Sequence, residues 1–222
     1  MKTRTKFGLG TLGAALVGGL LGGGSVFGIR SGYEEAAHEV LFDDGKFEVR
    51  QYEDALVART VTTGDLGEAG SAAFRRLGGY IFGKNVTRDS VAMTTPVFQE
   101  EVETSDEPES ESIAMTTPVF QEEPAEGTWV QTFVLPREYT METLPVPTDP
   151  NVELAVLPGL KVAVVRYSGL RSNRSIEEQT ERLRAWMAER DLVATDAPRS
   201  AAYDPPWTIP FFRRNEVQIP IE

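Results

Sequence analysis

One histidine, no cysteine and 34 acidic side chains are what this chain offers to catalysis. A Ser-His-Asp relay needs an imidazole beside its nucleophile, and His38 lies in a stretch that reads as a linker, ahead of the first strand pattern. Zinc sites draw several His or Cys ligands, which this composition does not supply. Without cysteine there is no thiolate nucleophile and no disulfide. Neither a GxxxxGK[ST] loop nor a GxGxxG after a strand occurs in the body of the chain, and Gly8 to Gly13 (GLGTLG) belongs to an uncharged N-terminal run. A glycosidase-type carboxylate pair would have to come from Asp and Glu residues that fall on loops and on the polar face of helices. Binding without catalysis is the simplest activity left.

The formal charge of -12 argues against nucleic acid, because phosphate recognition needs clustered cations. Arg outnumbers Lys by 17 to 5, a lysine-poor, acid-rich surface of the kind expected in a salty medium. Hydrophobic and charged contents of 41% and 25% are those of a folded globular chain.

The elements that must position a binding site follow from periodicity. Phe47 to Thr63 alternates as a strand or a pair of strands, with a bend at Glu53 and Asp54. Glu68 to Phe82 reads as a helix, with Ala73, Leu77 and Ile81 on one face, stopped by Gly83 and Asn85. Trp129 to Pro136 is a strand, and after a proline-marked passage come VELAVLP, KVAVVRYSG, a helix and the final strand NEVQIPI. Ser175 and Glu178 form a Ser-x-x-Glu box that predicts the start of the second helix. The order of strands, helix and strands thus occurs twice, which predicts an α+β fold: a distorted β-barrel built from two similar α+β halves, with two main helices packed on the sheet. NVT at Asn85 and NRS at Asn173 fit the N-glycosylation pattern.

Ser90 to Glu101 (SVAMTTPVFQEE) and Ser112 to Glu123 (SIAMTTPVFQEE) are identical at eleven of twelve positions, 22 residues apart. Both have strand alternation, and Pro96 and Pro118 place them at a sheet edge or bulge. The expectation is a strand and loop duplicated into a neighbouring strand, joined by an acidic loop.

Lys2, Arg4 and Lys6 precede 23 uncharged residues, Phe7 to Ile29, nine of them glycine. That length spans a bilayer as a helix, and cations before it with acids after it place the N-terminus inside. Residues 1–30 are therefore expected to be a retained membrane anchor, with 31–46 a linker and 47–222 a domain outside the cytoplasm. Secretion after signal cleavage is the alternative.

FEVRQY (Phe47 to Tyr52), YIFGKN (Tyr80 to Asn85), the two AMTTPV segments, WVQTFVLPREYTMETLPVPTDPNV and YDPPWTIPFFRRNEV together resemble the SOUL haem-binding family, in order, over roughly Val40 to Ile221. The resemblance implies a hydrophobic groove for a tetrapyrrole, haem or a related porphyrin bound non-covalently, bordered by the first helix. A flat dianionic macrocycle wants an apolar wall, cations for its carboxylates and, optionally, an axial ligand. Phe74 and Leu77 are then the expected wall, and Gly78 with Gly79 a bare stretch of backbone for the ring. Arg75 and Arg76, or Arg213 and Arg214, are candidate propionate partners. Tyr203 and Trp207 are expected to cap the groove. Some relatives carry histidine where this chain has Gln51, so an axial ligand would have to come from Met93, Met115 or Tyr80. The competing expectation is a small-molecule effector or protein-interaction module on the same barrel.

Overall fold

The computed structural model describes residues 33–88, 109–205 and 207–222. Its elements run β1 (Glu34–Glu35), β2 (His38–Asp44), β3 (Phe47–Tyr52), β4 (Ala55–Thr63), α1 (Leu66–Ile81), β5 (Asn85–Val86), β6 (Thr116–Thr117), β7 (Val119–Ala125), β8 (Thr128–Val134), β9 (Val146–Pro147), β10 (Glu153–Leu157), β11 (Lys161–Tyr167), α2 (Asn173–Ala188), β12 (Arg199–Ala202) and β13 (Asn215–Pro220).

Nine strands form one antiparallel sheet in the order β10-β4-β8-β7-β12-β13-β11-β3-β2. The expected two halves are visible in that order: β4, α1, β7 and β8 correspond to β11, α2, β12 and β13. The remaining strands are exchanged, since β3 pairs with β11 of the second half and β10 with β4 of the first. The connections of the two exchanged hairpins touch. Gly159 donates its N–H to Asp54 Oδ1 at 2.7 Å, and a Cβ there would stand 2.4 Å from the Tyr52 carbonyl oxygen. The sheet curls into a half-barrel and leaves β10 and β2 as its two ends.

Alternation decides what each face carries. Ala58, Leu77, Ile81 and Phe133 form the core under α1, and Val49, Val165, Leu183, Trp186 and Ile219 the core under α2. The opposite, concave face buries Tyr52, Val57, Phe120, Val134, Val162, Val164 and Tyr203. Leu77 is wholly buried, a burial that contributes about 1.5–3 kcal/mol. Asp65 starts α1, its Oδ1 accepting from Gly67 N and Glu68 N at 2.8 Å each.

Several boundaries differ from the sequence-based expectations. The α2 capping box sits three residues earlier than predicted: Ser172 is the N-cap, its Oγ accepting from Ser175 N, while Ser175 Oγ accepts from Ser172 N. Glu178 instead pairs with Arg174 one turn away at 2.8 Å. Of the stretch expected as a linker, Glu34–Glu35 and His38–Asp44 are strands. β2 is drawn onto the sheet by pairing with β3, and Ala36 is buried in the concave core. The second copy of the duplicated segment is broken at Pro118 into β6, which pairs parallel with β1, and β7, which sits in the middle of the main sheet rather than at its edge. The first copy, with Met93, and the N-terminal segment lie outside the described residues. Among the described residues no helix is long and apolar enough to cross a membrane.

Candidate functional site

Helix α1 packs on β4 and β8, and α2 on β11 and β13. Strands β7 and β12 lie between them. With neighbouring strands about 4.8 Å apart, the two helix axes are separated by roughly 19 Å of sheet, and helices about 10–12 Å across leave a channel over β7 and β12. The strand register gives its floor. Phe133, Val119, Ala202, Asn215 and Tyr167 are successive partners across β8, β7, β12, β13 and β11, all on the helix-bearing face. The next row runs through Gln131, Gln121 and Ser200.

Phe74 forms the α1 bank, its ring edge-on to Phe133 at 5.5 Å. The opposite bank is Tyr167 and the turn that follows it. That turn is fastened to the β12–β13 connection by Gly169 N donating to Pro210 O at 2.9 Å and Asn215 Nδ2 donating to Gly169 O at 3.1 Å. From the connection project Trp207, Ile209, Phe211 and Phe212, each more than half exposed, and Leu170 joins them from the turn. Phe211 and Phe212 hold their rings 4.4 Å apart at the short Pro210–Phe212 turn. Five large apolar side chains on one pinned lip form an exposed surface of the kind that marks a binding site.

The sequence-predicted residues divide between this channel and other places. Phe74 is on the bank, partly buried. Leu77, expected in the wall, faces the sheet instead, because its helical position follows Ala73 into the core. Gly78 is no gap for a ring: a Cβ there would make ordinary 3.9–4.0 Å contacts with Phe82 and Phe74, and one on Gly79 would meet Lys84 Cδ at 3.0 Å. Tyr80 is buried and donates to Pro145 O at 3.0 Å. Burial raises its pKa above the ordinary phenol value, with Tyr139 adding to the rise. Met115 packs at the edge of the core under α1.

Arg75 is exposed on α1, while Arg76 bonds Thr60 Oγ1 at 2.9 Å and pairs with Asp149 at 3.2 Å. Tyr203 does not cap the channel. It lies on the concave face among Arg50, Tyr52 and Glu216, because alternation along β12 turns it to the other side of the sheet. Trp207 is on the lip, and Arg213 beside it donates from Nε to Thr208 O at 2.7 Å. Arg214 is committed to Glu216 and Glu35. Ile209, Phe211, Phe212, Leu170 and Tyr167, which line the channel, went unrecognised in the sequence. The IPFF run before two arginines was the available signal for three of them. Nothing in the order of residues relates Phe74 to Tyr167.

Two further features bear on ligand chemistry. Gln51 is partly buried, its Nε2 donating to Tyr52 O, and His38 Nδ1 is 2.9 Å from Ala36 O with its ring against Tyr52. Neither belongs to the channel. A separate cleft of about 220 Å³ opens between the β1 arm, the β3–β4 turn and the end of β8, with Glu34, Glu53, Leu135, Arg137 and Tyr139 in its lining. It holds none of the predicted residues and is smaller than the roughly 300–1,000 Å³ of ordinary ligand pockets.

The described residues thus form an exchanged α+β half-barrel with two helices on one face, an open channel between them and an aromatic lip at its side. The chain belongs to the SOUL heme-binding protein family, which matches residues 33–220. No curated protein matches it. Among solved structures it is similar to the C-terminal domain of EcmrR (12% identity, TM-score 0.55, 79% of this chain and 96% of that one). It is also similar to a hydrolase from Listeria innocua (13%, 0.53, 82% and 94%) and to an uncharacterized conserved protein from the same organism (14%, 0.54, 80% and 92%). At these identities the likeness is one of fold.

Proposed function

We propose that the channel between α1 and α2 holds a tetrapyrrole, haem or a related porphyrin, without a covalent link, and that the protein buffers or carries it rather than transforming it. The observation that carries this reading is the placement of Phe74 and the Trp207–Phe212 lip around a floor reduced to Val119 and Ala202, both partly open. A planar apolar macrocycle fits such a surface: Phe74 and the lip would take its faces and edges, and the arginines of the far bank its carboxylates. When bound, the group would supply an iron-centred or light-absorbing π-system, while this chain's residues orient it and exclude water. The N-terminal segment would tether the domain to a membrane, facing away from the cytoplasm.

Titrating the full chain with haem tests the reading. A Soret shift with tryptophan quenching at micromolar ligand is expected, weakened about tenfold or more by Ala202→Phe, which fills the floor. No spectral change at that concentration overturns it. Purified protein free of pigment but holding one stoichiometric small ligand would instead support the alternative of a small-molecule effector module on the same fold.

A further inference from the structure

Arg171 stands on the bank of the channel opposite Phe74, in the turn between Tyr167 and α2. Its Nη1 donates to Ser200 Oγ at 3.2 Å, on the channel floor. Among the described residues no carboxylate pairs with it. On the concave face Arg50 has Glu48 and Glu216, and Arg214 has Glu35 and Glu216, whereas the buried Arg199 lacks a carboxylate but is satisfied within the core by Gln218 Oε1 and the Phe120 ring. Arg171 has only the Ser200 hydroxyl. A desolvated cation is ordinarily paired, because the uncompensated charge is costly.

The groups around it are short of partners in the same sense. Tyr167 Oη is buried without a hydrogen bond. Nearby Ser175 Oγ is already engaged with Leu170 O and Ser172 O, at 2.9 Å each. Gln121, the cross-strand partner of Ser200, is 2% exposed and its carboxamide is also unpartnered, but that carboxamide lies against Gly70 of α1, on the other bank. The first turn of α2, which begins two residues on, contains no acidic side chain, leaving its positive end uncompensated. The surroundings lower the Arg171 pKa, burial first and the nearby Arg213 guanidinium as well, with Tyr167 opposing. The Arg171 guanidinium and the unpartnered Tyr167 hydroxyl thus stand on one bank with donors but no anion, beside Ser200, whose own hydroxyl donates to Gln121 O at 3.4 Å.

We propose that Arg171, with Tyr167 and Ser200, is a carboxylate subsite of the channel, and that its ligand is an apolar aromatic acid anchored by that carboxylate while its ring system covers Phe74 and the aromatic lip. The proposal rests on reading the channel as the ligand site, and it adds the requirement that the ligand be an acid. Selection between ligands then turns on the free acid group, through a charge-assisted hydrogen bond of the kind Arg makes to carboxylates, and not on metal coordination.

The experiment compares haem with haem dimethyl ester, and pyrenebutyrate with its methyl ester, on the full-length wild type, Arg171→Gln and Tyr167→Phe, by absorbance and fluorescence. Each acid is expected to bind wild type about tenfold or more tightly than its ester. Arg171→Gln should erase that preference, and Tyr167→Phe should reduce it several-fold. The Tm of both variants is measured alongside: Tyr167→Phe, which removes one hydroxyl and no packing, is expected to stay close to wild type and tests the subsite even where Arg171→Gln is destabilised. Equal binding of acid and ester by wild type, or an acid preference that survives Arg171→Gln, overturns the subsite. Acid-selective binding of pyrenebutyrate with no binding of either haem compound upholds the subsite and rejects the tetrapyrrole reading. Failure of all four compounds to bind rejects both.

Discussion

Arg50 sets Nη1 and Nη2 against the two carboxylate oxygens of Glu216, at 2.9 and 3.0 Å, across 166 residues of sequence. Both side chains are almost wholly buried on the concave face. Glu48, Arg214, Tyr203 and Gln218 complete their hydrogen bonds. The pair joins β3 to β13 across β11, so a polar network occupies the space where a barrel of this shape would otherwise hold apolar side chains.

Removing one partner should therefore be worse than removing both. Arg50→Met leaves Glu216 short of its main counter-charge and is expected to cost about 3–5 kcal/mol, while Arg50→Met with Glu216→Leu costs less than the single change. Urea unfolding of the three proteins measures this. Additive losses would show that the two side chains do not act as a pair.

Acid should attack the same place. Burial pushes the Glu216 carboxyl up, but Arg50 and Arg214 together overcome that and hold its pKa below the ordinary value of 4.5. The stability it contributes is complete above the unfolded-state value and is lost as pH falls through the lower folded-state one. Unfolding free energy measured from pH 7 to pH 3 is expected to fall below about pH 4.5, and Glu216→Gln, less stable at neutral pH, should show a shallower fall. An unchanged slope in the variant would assign the acid sensitivity to other carboxylates.

Gly159→Ala tests the crossing of the two hairpin connections. The added methyl would stand 2.4 Å from the Tyr52 carbonyl oxygen and 3.1 Å from Glu53 C, both backbone atoms that cannot swing aside. Overpacking of this kind costs about 1–3 kcal/mol, so a Tm lower by several degrees is expected in calorimetry. An unchanged Tm would mean that the connections part without penalty.

Asn85 carries a glycosylation triplet yet is 2% exposed, its side chain bonded to Tyr80 O, Glu111 O and Glu111 N at 2.7–2.9 Å. Mass spectrometry of protein made in a glycosylating host should find Asn85 bare, whereas Asn173, exposed at the first turn of α2, is the only one of the two open to modification. Asn85→Ala should destabilise by about 1–3 kcal/mol through the orphaned backbone groups.

Local pattern carried much of this architecture into view. Alternation from Phe47 and the Glu53–Asp54 bend located β3 and β4, and Ala73, Leu77 and Ile81 located the buried face of α1. The two-part order of strands and helices was equally readable. The channel was not, because its floor is a row of single residues from five strands whose pairing is set by long-range register. Tyr203 shows the difficulty: a single residue of register decides whether it faces the channel, as Ala202 does, or the concave interior. Arg171 was hidden for another reason, since an arginine after a turn looks solvated until the absence of a carboxylate beside it is seen in space.

The exchange of β3 and β10 between the halves makes the molecule a single mechanical link. Cutting the chain in the Asp149–Asn151 turn would leave each fragment without its outer strand and with that strand's neighbour unpaired. Neither piece should hold its own shape, yet mixing them should restore the native sheet. Melting is then expected as one event, with no state in which one bank of the channel is folded while the other is loose.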